Sequence, residues 1–217
     1  MFVSVIIPTK NEPAINIVVN EVNRYLKKIK HEIIIVDKSN VTPVIKGVKV
    51  IKQKSDGLGN AIVEGLKESK GDVIVTMDGD GSHDPKYILE MLKKIGEYDI
   101  VIGSKFVHGG GSEDPLSRVI VSKAFRFMPR IILGLKVKDP MSGFAVIKRS
   151  VFDKIHLEPK GYKIIIEIVY KSKANVSEVP IIFRKRYMGE TKVGWNLRGF
   201  KEVITILRLL WGLRFKK

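Results

Sequence analysis

Short apolar runs rich in β-branched residues alternate along the first half of the chain with longer segments whose apolar positions recur at helical spacing. That alternation predicts strand-helix units laid into a mostly parallel sheet. Val3 to Ile7 predicts a buried strand stopped at Pro8; Asn11 then offers a helix cap, Pro13 suits the first turn, and helical character runs to about Ile29. Glu32 to Val36 and Val48 to Ile51 predict the next two strands, Gly59 to Ser69 a helix, and Asp72 to Met77 a fourth strand that runs straight into two aspartates. Asp84-Pro85 suits a cap for the helix that follows, and Asp99 to Ser104 predicts a fifth strand. Gly109-Gly110-Gly111 begins a polar stretch with too much backbone freedom to pack by itself, which predicts a mobile flap. A basic helical segment follows from Pro115 to about Leu133, then a strand from Phe144 to Ile147, while Tyr162 to Tyr170 has strand propensity at a place where a helix also fits.

With 217 residues, 44% of them hydrophobic, the chain can build one sizeable α/β domain and a tail. A net charge of +16 repels itself unless an anionic surface or ligand is the normal neighbour, which leaves nucleic acid, anionic lipid and phosphate-bearing substrates open. The absence of cysteine excludes a disulfide framework and a thiolate metal site, and fits a cytosolic address. No stretch approaches the ~18 unbroken apolar residues that a membrane span requires, and MFVSVIIPTKNEP has no basic leader before its apolar run, so it reads as a first strand.

The sharpest chemical signal is Asp78-Gly79-Asp80, placed between a wholly apolar strand and a turn. Open α/β sheets bind ligands at the carboxyl ends of their strands. Two adjacent carboxylates repel unless a cation joins them, and Mg²⁺ or Mn²⁺ favours one or two carboxylates plus phosphate oxygens of a substrate. Turn and cap duty is the plainer reading of the same pair. Glu12 and Asp37 also stand at the carboxyl ends of predicted strands.

VSVIIPTKNE, EIIIVD, DGLGNAIVEGLKESKGDVIVTMDGDGSHDP, IGSK, DPMSGFAVIKR and RYMGETK follow one another along nearly the whole chain. Together they resemble the family-2 glycosyltransferases, and within them the polyprenol-phosphate (dolichol-phosphate) mannose synthases. The resemblance implies a GT-A type α/β fold with a mostly parallel central sheet flanked by helices. It implies a catalytic domain over residues 1–195, divided into a nucleotide-sugar half (1–105) and an acceptor half (106–195), followed by an amphipathic helix over 196–217. Pro8, Glu12, Val36 and Asp37 are implied to border the base and ribose; Asp78, Gly79 and Asp80 to hold the metal, Mg²⁺ or Mn²⁺, and the diphosphate. Lys105, Arg118, Ser122, Arg186 and Lys192 match positions that hold phosphates, with Arg118 and Ser122 on the acceptor side. Arginine grips phosphate through two parallel hydrogen bonds and lysine as a point charge. Asp139 matches a motif lining the acceptor side and is the base if the acceptor is a hydroxyl; as a residue before Pro140 it suits a turn equally. Gly189 and the Gly109 to Gly111 run would let two loops close over the donor.

Three departures bear on the donor base: Lys10 stands where relatives often carry an aromatic residue, Lys38 replaces a second acidic residue, and Lys105 replaces an arginine. Ser82 sits where some members have a third metal ligand, and His83 suits a turn neighbour better than a catalytic role. The implied reaction is inverting transfer of mannose from GDP-mannose to a polyprenyl or dolichyl phosphate. The alternatives are a UDP-sugar hexosyltransferase and a silent sugar-nucleotide-binding module, against which the intact Asp78 and Asp80 speak.

From Leu197 to Lys217, Phe200, Val203, Ile204, Leu207, Leu210 and Trp211 recur at helical spacing with Arg198, Lys201, Arg208 and Arg214 among them. Such a helix can lie in the headgroup plane of an anionic membrane or pack on the domain. The first arrangement makes the protein peripheral on the cytoplasmic face, with no membrane span and with scope for an anchoring partner subunit. No helix-turn-helix, RNA-stacking or zinc pattern supports nucleic acid as a partner.

Overall fold

The computed structural model describes residues 1–159, 161, 163–188 and 197–215. The elements run β1 (Val3–Thr9), α1 (Ile15–Tyr25), β2 (His31–Asp37), β3 (Lys49–Lys52), α2 (Leu58–Glu68), β4 (Val73–Thr76), α3 (Lys86–Lys94), β5 (Ile100–Ser104) and β6 (Gly111–Ser112). They continue with α4 (Leu116–Leu133), β7 (Ala145–Lys148), α5 (Arg149–Phe152), α6 (Ile164–Ser172), β8 (Val176–Pro180), β9 (Ile182–Phe183) and α7 (Leu197–Phe215). The main sheet has seven strands in the order β3-β2-β1-β4-β7-β5-β8. Every neighbouring pair in it is parallel except those made by β7, which lies antiparallel between β4 and β5.

Because side chains on a strand alternate between faces, each strand feeds two cores. Val3, Val5, Ile7, Ile33, Ile35, Val73 and Val75 pack on one face against Val18 and Val22 of α1 and Ile88 and Met91 of α3. Ile6, Ile34, Val36 and Ile74 meet Ala61 of α2, Phe152 of α5 and Ile164 of α6 on the other. The expected sheet flanked by helices is therefore present as a three-layer α/β/α stack.

The ambiguous IIIEIVY segment is a helix, α6, and its position explains its composition. Ile164, Ile165, Ile168 and Val169 face the sheet core, while Ile166 faces a third cluster with Leu133, Ile206 and Leu210. A helix wedged between two cores is apolar nearly all round, so burial overrides strand propensity. The same third cluster docks α7: Ile206, Leu209 and Leu210 are buried, whereas Leu207, Trp211 and Phe215 on that helix stay exposed.

Three local expectations need correction. β1 does not stop at Pro8 but reaches Thr9; its pairing with β4 ends at Ile6, so no partner strand lies where the missing Pro8 N–H would have pointed. Asn11 is no cap, since α1 starts at Ile15, and Asn11 takes a left-handed turn (φ 50°) while its N–H donates to Ser39 Oγ at 2.6 Å. The glycine-rich flap is stitched down: Gly111 and Ser112 pair with Ile182 and Phe183, and Gly111 N–H donates to Ile181 O at 2.9 Å. The Asp84 cap is present, with its Oδ1 accepting the Lys86 N–H at 3.0 Å.

Candidate functional site

The carboxyl ends of β1, β2, β4 and β5 converge on one edge of the sheet, and the chemistry-bearing residues gather there. A cleft of about 270 Å³ opens between the ends of β1 and β2, lined by Thr9, Asn11, Glu12, Asp37, Ser39 and Val41 among others. Asp37 is wholly buried at its base. Its Oδ1 accepts from Thr9 Oγ1 (3.0 Å) and Ser39 Oγ (2.6 Å), and its Oδ2 accepts the Ser39 N–H (3.1 Å). Glu12 Oε1 accepts the Ala14 N–H at 3.2 Å. Val36 points into the core with Ile6 and Ile34, Pro8 sits half-buried near the strand end, and Lys10 is exposed beside the cleft.

Beyond β4 the chain turns through Asp78, Gly79 and Asp80. Gly79 lies so close to β1 that a Cβ would stand 3.0 Å from Thr9 Cγ2 and 3.1 Å from Ile7 Cγ2. The absence of a side chain thus lets the acidic turn press on the strand next to the cleft. Asp78 keeps a partly exposed carboxylate, while Asp80 is buried with both oxygens engaged. Asp80 Oδ1 accepts from Ser82 N (2.9 Å) and Ser82 Oγ (2.5 Å), and Oδ2 faces Arg186 Nε at 3.1 Å. Ser82 therefore orients Asp80 with its hydroxyl proton.

His83 does more than neighbour a turn. Its ring is buried, stacked on Phe144 (centroids 5.1 Å apart) and edge-on to Phe183 (5.4 Å), and Nδ1 accepts the Asp78 N–H at 3.0 Å. Burial pushes its pKa below the ordinary value, against the pull of Asp78 and Asp80. A ring nitrogen that accepts carries no proton, so the 3.7 Å approach of Nδ1 to Asp78 Oδ2 is not an ion pair.

Across from the acidic turn stands a basic wall. The Lys105 ammonium lies 4.7 Å over the Phe183 ring, and the Lys105 N–H donates to Asp139 Oδ2 at 3.2 Å. Asp139 is buried, its N–H donates to Glu178 Oε1 at 2.9 Å, and burial raises its carboxyl pKa in spite of the nearby Lys105 and Lys163. Lys163, at the start of α6, donates to Met141 O at 2.6 Å and so ties down the loop that carries Asp139. Ser142 Oγ fixes the same loop to β5 through Gly103 O at 2.7 Å.

Ser122 is half-buried on α4, and one turn further on the Arg126 guanidinium lies 4.5 Å over the Phe106 ring beside Lys105. Lys192 and the side chain of Arg118 lie outside the described residues. The sequence reading missed Lys163, Arg126 and the group Glu21, Arg184 and Tyr187. Nothing in local spacing links these residues, because their roles depend on partners far away along the chain.

The donor set suits a hard divalent cation. Among the described residues no cluster of three or more acidic or imidazole groups surrounds a common point, so no all-protein cage exists there. Two carboxylates on one turn, one partly exposed and one paired with a guanidinium, match an ion that completes its shell with substrate phosphate and water.

A mostly parallel α/β sheet flanked by helices, with an acidic turn at the carboxyl end of its central strand, is a GT-A type glycosyltransferase fold. The chain belongs to glycosyl transferase family 2, whose family model matches residues 4–156. It is 37% identical to the dolichol-phosphate mannosyltransferase of Pyrococcus furiosus, over 98% of this chain and 64% of that protein. It is 36% identical to the undecaprenyl-phosphate mannosyltransferase of Micrococcus luteus, over 73% of this chain and 68% of that one. The chain thus spans about two thirds of these relatives' length. In fold it is similar to mannosyl-3-phosphoglycerate synthase from Rubrobacter xylanophilus, with a TM-score of 0.69 and 18% identity over 97% of this chain and 73% of the other. Glucosyl-3-phosphoglycerate synthase from Mycobacterium tuberculosis, solved with Mn²⁺, UDP-glucose and phosphoglyceric acid, gives the same TM-score and identity over 97% and 79%.

Proposed function

We propose that the chain transfers mannose from GDP-mannose to a polyprenyl or dolichyl phosphate at a membrane surface, with inversion, using Mg²⁺ or Mn²⁺. The observation that carries this reading is the acidic turn of Asp78 and Asp80, with Arg186 paired to Asp80 and Lys105 and Lys163 near enough to act with both aspartates on the same buried His83, on the sheet edge that also holds a cleft of about 270 Å³. The mannosyltransferase relatives named above support the sugar and the acceptor class.

Asp37 and Glu12 border the base and ribose, and Asp78 and Asp80 hold the cation, which when bound neutralises the leaving diphosphate. A lipid phosphate oxygen, anionic at neutral pH, attacks sugar C1. The bond from C1 to the diphosphate oxygen breaks, and the nucleoside diphosphate leaves with the electron pair. No strong general base is needed, so the duty of Lys105, Arg118, Ser122 and Lys192 is to align two anions that would otherwise repel. Asp139 fixes the Lys105 backbone in this scheme and serves as base only for a hydroxyl acceptor.

Leu207, Trp211 and Phe215 on α7, with Phe127 and Ile131 on α4, form exposed apolar ground interspersed with arginines, which suits an anionic membrane. No helix among the described residues is long and apolar enough to cross a membrane. On this reading the protein acts peripherally on the cytoplasmic face, alone or with an anchoring subunit.

The test is label transfer from GDP-mannose, UDP-glucose or UDP-N-acetylglucosamine into polyprenyl phosphate with Mn²⁺ or Mg²⁺, beside an Asp80→Ala variant. Label entering lipid from GDP-mannose, lost with EDTA and in the variant, is the expected result. Transfer from a UDP-sugar alone would reassign the donor, and no transfer from any donor would refute the proposal.

A further inference from the structure

Asp80 has one carboxylate oxygen to offer a cation, because Oδ1 is committed to Ser82 N and Oγ at 2.9 and 2.5 Å. That remaining oxygen, Oδ2, is already met by Arg186 Nε at 3.1 Å. A guanidinium and a divalent ion on that one oxygen repel each other, so each weakens the hold of the other. We infer that Arg186 is a resident counter-cation of the acidic turn, which exchanges with the divalent ion when a nucleoside diphosphate binds. This rests on the metal-dependent reading above and goes beyond it, making Arg186 a coupling device between metal and donor as well as a phosphate contact.

The geometry allows the side chain to move while its backbone stays. The Tyr187 N–H donates to Asp80 O at 2.9 Å and the Arg184 N–H to Ser82 O at 3.0 Å, so the segment is laid along the acidic turn. Tyr187 Oη donates to Glu21 Oε1 at 2.9 Å and accepts from Arg184 Nη1 at 2.8 Å, while Arg184 also pairs with Asp84. Gly81 takes a positive φ of 85° directly beneath the Tyr187 ring, and a Cβ there would overlap it. Two residues flanking Arg186 are thus clasped to α1 and to the turn. The Arg186 side chain is itself about a third exposed (32%), with solvent beside it.

Released from Asp80, the guanidinium remains tethered within reach of anything that the cation holds, and a diphosphate oxygen is the anion that arrives there. The exchange keeps Asp80 charge-compensated in both states, so the buried carboxylate is never bare. Since coupling free energy is reciprocal, a diphosphate that draws Arg186 away tightens metal binding, and the metal tightens donor binding by the same factor.

The experiment measures Mn²⁺ affinity of the full chain by electron paramagnetic resonance of free Mn²⁺, with and without GDP, in wild type, Arg186→Gln, Lys185→Gln and Arg186→Gln/Asp80→Asn. Lys185 is the charge control: it is exposed on the same segment, so its loss changes the field without freeing Asp80. Arg186→Gln should bind Mn²⁺ alone about tenfold more tightly than wild type, on the scale of allosteric coupling factors. GDP should enhance that binding less than in wild type. Mn²⁺ alone should also raise the melting temperature of Arg186→Gln more than that of wild type, which shows that the variant folds and that the ion replaces the lost partner. The double variant should lose the gain. Unchanged Mn²⁺ affinity in Arg186→Gln, or an equal gain in Lys185→Gln, overturns the exchange while leaving metal dependence intact. No Asp80-dependent Mn²⁺ binding in wild type even with GDP overturns the metal reading and the exchange together.

Discussion

His83→Phe removes one hydrogen bond beneath the acidic turn while leaving an aromatic ring in the slot. The phenyl ring, somewhat larger than the imidazole, still offers an aromatic face to Phe144 and Phe183, which lie 5.1 and 5.4 Å from the native ring, but it cannot accept the Asp78 N–H that Nδ1 receives at 3.0 Å. A part-buried amide left without a partner costs about 1–3 kcal/mol. For a chain of this length each 1 kcal/mol lowers Tm by roughly 2–4 °C. The expected loss is therefore on the order of 2–12 °C in thermal melts at neutral pH. His83→Ala should cost more, because it also empties the slot between two rings, a change that in aromatic positions reaches about 3–5 kcal/mol. Freed from Nδ1, the Asp78 peptide no longer fixes its carboxylate, so Mn²⁺ affinity in the presence of GDP should fall several-fold in His83→Phe. A His83→Phe protein that melts with wild type and binds Mn²⁺ equally well would refute the assigned role of the ring.

Asp139→Asn should raise thermal stability at pH 7 by about 1 kcal/mol, or ~2–4 °C. Burial raises the folded carboxyl pKa above its unfolded value, so the favourable contribution is fully present below the unfolded pKa and is lost as pH rises through the folded one. The advantage of the variant should accordingly shrink in melts taken towards pH 4, and an advantage that grows on acidification would contradict the assignment. Gly81→Ala, which combines an unfavourable φ with overlap of the Tyr187 ring, should lower stability by about 1–3 kcal/mol and slow transfer, read by melts and label incorporation. Trp211→Ser with Phe215→Ser should cut cosedimentation with anionic vesicles about tenfold while shifting Tm little, since both side chains are exposed; unchanged cosedimentation would remove α7 from the membrane contact.

The donor-side strands were legible because buried parallel strands announce themselves as apolar β-branched runs, and Asp78 and Asp80 stood out because carboxylates at a strand end need a reason. What eluded the sequence was set by partners remote along the chain. IIIEIVY is helical because two cores flank it, and the Gly109 to Gly111 run is pinned because Ile182 and Phe183 lie alongside. Glu21, Arg184 and Tyr187 form one clasp although α1 and the segment after β9 lie near opposite ends of the chain. His83 looked like a turn residue because its aromatic neighbours, Phe144 just before β7 and Phe183 of β9, lie far along the chain.

The antiparallel strand β7 has a consequence for how the molecule comes into being. β4 and β5 are not hydrogen-bonded to each other; the ladder between them exists only through residues 145–148, which follow α4 in the chain. During synthesis, a nascent chain that has emerged through β5 has every strand from β1 to β4 yet still has an open seam at the middle of its final sheet. Closure waits for the segment that carries Asp139 and Phe144, so the nucleotide-side half is completed by the same stretch that equips the acceptor side. A chain severed between α4 and β7 should consequently give two pieces that acquire a closed sheet only when they reassociate.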